Sequence, residues 1–166
     1  MIRGLRNVAT LVLLAASLFS CSSKDTPMTK SKAAAEILGN PEYRAISFGG
    51  YRGKERAKQP TIPQLKEDLK IMSAMGIKIL RTYNLQLAHA PNVLKAIREL
   101  KNEDPTFEMY VMLGVWIDCL NAWTDHPDHS IEDPKNNESE IQKAVRYATE
   151  YPDIVKVIAV GNEAMV

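Results

Sequence analysis

The sequence predicts an α/β fold built on a parallel sheet. Three observations carry this. Four short apolar runs, residues 45–50, 77–82, 109–115 and 155–160, have the length of strands. Single amphipathic stretches with apolar residues at helical spacing separate them. The runs are near-continuously apolar rather than alternating, the pattern of a sheet covered on both faces. Strands alternating with helices imply crossovers that return each strand parallel to the last.

The elements justify themselves in order. Ala45 to Gly50 is the first strand, ended by glycines. Thr61 opens a helix: its hydroxyl can cap a free amide, and Gln64, three residues on, can reach back. Pro63 fits the first turn, where an amide would be unpaired anyway. Ile62, Leu65, Leu69, Met72 and Met75 form one apolar stripe, and Gly76 is placed to end the helix in a left-handed conformation. Ile77 to Thr82 is the second strand. A second helix spans about Asn92 to Lys101, and Met109 to Val115 is the third strand. A polar loop then runs from Trp116 to about Asn136. Asn137 and Glu140 repeat the capping-box spacing and start a third helix with Ile141, Ala144, Val145 and Ala148 inward. Val155 to Val160 is the fourth strand, and Gly161-Asn162-Glu163 ends it.

An open doubly wound sheet and a closed barrel share this signature. No Gly-x-Gly-x-x-Gly turn follows the first strand and no phosphate-binding loop occurs, so a nucleotide-binding version is disfavoured. Short helices between regularly recurring strands fit a (β/α)8 barrel. That barrel takes roughly 250 residues, and this chain has 166. The expectation is therefore about the first four β/α units of a TIM barrel, leaving open sheet edges.

Residues 1–20 read as a signal peptide. Arg3 and Arg6 precede an apolar run from Val8 to Phe19, too short for a membrane span of roughly 20 residues. Leu18-Phe19-Ser20-Cys21 resembles the lipobox of bacterial lipoproteins, which implies acylation of Cys21. Residues 21–40 then form the lipidated cysteine and a tether, and 41–166 the barrel portion. The implied location is the cell envelope, membrane-anchored on the outer membrane or its periplasmic face. With Cys21 acylated, Cys119 has no disulfide partner, since the chain has 2 cysteines. The net charge is +1, which excludes a strongly basic nucleic-acid binder and points to a neutral partner.

Barrel enzymes carry their chemistry on the loops after the strands. That rule selects Tyr51 and Arg52, Arg81 to Asn84, Trp116 and Asp118, and Asn162 with Glu163. A carboxyl at the mouth of a buried strand is desolvated, which suits a general acid. Asn162 beside it can bind a sugar hydroxyl. Rings at Tyr51, Tyr83, Trp116 and Trp123 can stack on the apolar faces of sugars. Trp123 reads equally as a packed loop anchor. Arg81 fixes substrate or orients the acid; otherwise it pairs with a strand-end carboxylate. Asp118 reads as a loop contact or structural carboxylate. Asp125 to His129 is short and proline-interrupted, so no metal site is expected. His89 reads as a surface or loop residue.

Val160-Gly161-Asn162-Glu163-Ala164 resembles the strand-four signature of family 17 glycoside hydrolases, the β-1,3-glucanases of the retaining barrel clan. Leu80-Arg81-Thr82-Tyr83-Asn84 is similar to that family's strand-two end. The glycine-ended first strand before Tyr51 and Leu113-Gly114-Val115-Trp116 also fit, so the likeness covers roughly 45–165. The resemblance implies Glu163 as acid/base, Asn162, Tyr51, Arg81, Tyr83 and Trp116 as substrate contacts, a β-glucan as partner and no cofactor. It also implies a nucleophile from a later strand, so this chain alone is expected not to hydrolyse glycosides. A transglycosylase on the same scaffold and a non-catalytic glycan-binding lipoprotein are the alternatives.

Overall fold

The structure, a computed structural model, describes residues 31–162. The signal peptide, Cys21 and Glu163 lie outside the described residues. The elements in chain order are α1 (Ala34–Ile37), β1 (Arg44–Ser47), α2 (Ile62–Ala74), β2 (Ile77–Arg81) and α3 (His89–Glu103), then β3 (Tyr110–Val115), β4 (Cys119–Leu120), β5 (Asp128–Glu132), α4 (Pro134–Glu150) and β6 (Val155–Val160). Four strands form one parallel sheet in the order β1-β2-β3-β6. The α/β class and the parallel sheet expected from the pattern are present. Each strand pairs with the next sheet strand in the chain, with no reversal of order.

Alternation along the strands separates two faces. Leu80, Val111, Leu113, Val115 and Val155 join Leu65 and Leu69 of α2, Val93, Leu94 and Ile97 of α3, and Ala144 of α4 in one buried cluster. The three long helices therefore cover the same face. On the other face, Ile79 and Tyr110 pack with Ile37 and Tyr43 in a smaller cluster. The expectation of strands buried on both faces holds for β2 and β3 only. β1 is exposed throughout, and Ile158 and Val160 of β6 are exposed, because both strands are edges of the described sheet.

The start of α2 follows its sequence. The Thr61 hydroxyl accepts from the Gln64 amide at 3.4 Å, and the Gln64 side chain accepts from the Thr61 amide at 3.0 Å. Gly76 follows the helix with φ +79°, the left-handed value that favours glycine. α4 does not start where expected. Asp133 caps it, accepting from the Asn136 amide at 3.1 Å, and Pro134 occupies the first turn. Asn137 and Glu140 are therefore not a capping pair; both point inward and are buried. Ile141 and Val145, expected inward, are exposed. The loop from Trp116 to Asn136 also holds more order than its polarity implied: β4 and β5 pair antiparallel within it.

Candidate active site

The C-terminal ends of the parallel strands bring the sequence-selected residues to one edge of the sheet. Arg81 closes β2, and its Nη2 donates to Asn162 Oδ1 at 2.7 Å. This bond reaches past β3, which separates β2 from β6. Met112 pairs with Arg81, and Gly114, two residues on, pairs with Ala159. The guanidinium also lies 5.3 Å from the centre of the Tyr83 ring. Among the described residues, Arg81 thus meets an amide and a ring. With its oxygen committed to Arg81, the Asn162 amide turns its NH2 toward any other partner.

Trp116 follows β3 and is fixed at two points. Its backbone N–H donates to Glu140 Oε2 at 3.1 Å, and its indole Nε1 donates to Asp118 Oδ1 at 2.6 Å. Asp118 Oδ2 accepts from Trp123 Nε1 at 3.2 Å. Each oxygen of Asp118 therefore serves one indole, which makes it an orienting carboxylate. The Asp118 backbone is itself clamped. Its N–H donates to Asn137 Oδ1 at 2.9 Å, and its carbonyl accepts from Asn137 Nδ2 at 3.0 Å.

Glu140, Asn137 and Gly114 are the site residues that sequence reasoning missed, while Thr82 falls within the strand-two end it selected. Glu140 is 1% exposed, and both its oxygens accept from the Leu85 amide, at 3.1 and 2.9 Å. One helix carboxylate thereby ties the loop after β2 to the loop after β3. Its signal was a charged residue on the turn that precedes Ala144 on the inward face. The buried Thr82 hydroxyl accepts from the Gly114 amide at 3.1 Å. A Cβ on Gly114 would lie 2.3 Å from the Thr82 carbonyl oxygen, so only glycine lets these backbones approach. A glycine inside an apolar strand was the available signal.

Other expectations change. Arg52 is no part of this edge: it pairs with Asp68 at 2.6 Å and Glu67 at 3.2 Å, tethering its loop to α2. His89 is buried, 5% exposed, packed 5.3 Å from the Phe48 ring and 6.2 Å from the Tyr51 ring. Burial holds its pKa down to about 4. Tyr51 lies beside it with its own ring half exposed. Cys119 Sγ sits 3.6 Å from His129 Nδ1 across the β4–β5 pair. Among the described residues, no group of three or more His, Cys, Asp or Glu is placed to hold a metal ion. A cavity of about 480 Å³ lies on the outer side of α2 and α3, lined by Ile62, Lys66, Lys95 and Glu99 among others. It contains none of the strand-end residues.

No protein-family model matches the chain, and no curated protein matches it. A solved structure does. The chain is similar to an endo-laminarinase from Formosa Hel1_33_131, at 66% identity and a TM-score of 0.78 over 81% of this chain. The chain spans 34% of that enzyme's length.

Proposed function

We propose that this chain is part of a glycoside hydrolase that cleaves β-1,3-glucan with retention of configuration. The 66% identity to an endo-laminarinase is the observation that carries the reading. Two features of the fold support a barrel of the (β/α)8 type, similar to family 17: strands paired in chain order, and helices on one face of the sheet. A doubly wound sheet reverses its strand order at a switch point and carries helices on both faces.

In this reading Glu163 protonates the glycosidic oxygen as the bond to the leaving sugar breaks. A second carboxylate, supplied by sequence outside this chain, attacks the anomeric carbon from the opposite face. Glu163 then deprotonates the water that displaces it. Asn162, held by Arg81, offers its NH2 to a substrate hydroxyl. Tyr83, Tyr51 and Trp116 offer ring faces to neighbouring sugars. The test is a chimera with this chain in place of the matching third of the Formosa enzyme. It is expected to hydrolyse laminarin and release the β anomer first, by proton NMR. Release of the α anomer first, or no hydrolysis by a folded chimera, would contradict the reading.

The same proposal places the protein in the cell envelope through a lipid on Cys21. Metabolic labelling with palmitate is expected to mark the expressed protein and to fail with Cys21→Ser. Equal labelling of both would refute the anchor.

A further inference from the structure

We infer that Trp116 and Trp123, pinned together by Asp118, form a sugar-stacking platform that takes a glucosyl unit of a bound β-glucan chain. The glucan identity rests on the function proposed above; the platform itself rests on geometry. Trp123 is 75% exposed, so it is no buried loop anchor. A large apolar ring left in water loses the gain of burial, yet this one is held still. Its ring lies 5.7 Å from that of Trp116, tilted by 35°. Its Nε1 donates to Asp118 Oδ2, while Trp116 Nε1 donates to Oδ1 of the same carboxylate.

The backbone beneath is fixed as well. The Ala122 amide donates to the Cys119 carbonyl at 3.3 Å, and the Thr124 amide to the Asn121 carbonyl at 3.0 Å. The Thr124 hydroxyl donates to the same Asn121 carbonyl at 2.9 Å. Asn137 holds Asp118 from α4. Two indoles are thus pre-positioned at low entropic cost, with Trp116 as backing and the outer face of Trp123 open to solvent. A pyranose ring presents an apolar C–H face bordered by hydroxyls, the shape such a surface accepts. Trp116 follows β3, the sheet neighbour of β6, so the platform stands beside the strand that leads into Asn162. That position suits a glucan lying along the strand ends, with one sugar on the indoles and another near Asn162.

The chain holds 2 tryptophans, so its indole fluorescence reports on this platform alone. The purified full chain is titrated with laminarihexaose and, separately, with cellohexaose, and affinities are measured by calorimetry. Laminarihexaose is expected to shift the fluorescence saturably. Trp123→Ala is expected to weaken binding about tenfold, equivalent to about 1.4 kcal/mol, with unchanged far-UV circular dichroism. Trp123→Phe, which keeps a ring, is expected to retain most of the affinity. If Trp123→Ala binds laminarihexaose like the wild type, the platform is refuted and the glucan reading survives. If cellohexaose binds more tightly and depends on Trp123, the platform stands and the β-1,3 reading fails. If neither sugar binds at millimolar concentration, the platform is refuted, and the hydrolase reading stands or falls with the chimera.

Discussion

His89 carries a consequence that its sequence context concealed. Its neighbours Leu87, Ala88, Ala90 and Pro91 gave no partner for a polar ring. The fold puts it at the first turn of α3 against Phe48, Gly50 and Tyr51, with Nε2 buried and unpaired. An imidazole there resists protonation because the charged form would lose its water. Its pKa falls from 6.5 to about 4 on folding. Above pH 6.5 neither state binds the proton. As the pH falls from 6.5 toward 4, the unfolded chain takes up a proton that the folded chain refuses, so stability declines and then levels off. The loss is on the order of 3 kcal/mol at 1.36 kcal/mol per unit. Urea midpoints are expected to fall over this window in the wild type and to fall less in His89→Phe. Parallel slopes in the two proteins would show that His89 titrates freely.

At the scale of elements, α4 shows where sequence patterning reads well and where it does not. The Thr61 and Gln64 box was legible because both partners are local. Asn137 and Glu140 have the same spacing, but their partners are Asp118, Leu85 and Trp116, which belong to other elements. Helical periodicity also put Ile141 and Val145 inward, whereas the inward face is polar near the site and exposes those two. A buried carboxylate is tolerable here because backbone N–H groups replace its water. Glu140→Ala leaves the buried Leu85 amide and the part-buried Trp116 amide without this acceptor, at about 1–3 kcal/mol for a buried one and less for the other. A loss of about 3 kcal/mol is expected in urea denaturation, with Glu140→Gln losing less because one acceptor oxygen remains. A change below about 0.5 kcal/mol, typical of surface substitutions, would show that the two loops stand without this tie.

On the scale of the whole molecule, alternating apolar runs and amphipathic stretches made the α/β class readable. Strand order and the one-sided cover of helices came only with the barrel expectation, because periodicity alone does not say which distant segments pair. The β4–β5 pair was hidden by its polarity: Asp128 to Glu132 is mostly exposed and lacks an apolar face. Of the site, Arg81, Asn162 and Trp116 were legible from their places after strands, while the clamps beneath them were not. Exposed apolar residues gather at both sheet edges and their flanking helices: Ile46 and Ile71 beside β1, Val145, Ile158 and Val160 beside β6. Those faces fit a sheet continued by further β/α units, and the chain spans 34% of its laminarinase relative. The proposed chemistry divides in the same way, with the acid/base here and the nucleophile elsewhere. Azide rescue of Glu163→Ala in the chimera tests this most directly, using a dinitrophenyl β-laminaribioside whose leaving group needs no acid. Azide is expected to restore turnover and yield the β-glycosyl azide, by attack on the glycosyl-enzyme from the side the carboxylate vacated. An α-glycosyl azide would make Glu163 the nucleophile, and turnover indifferent to azide would remove it from the reaction.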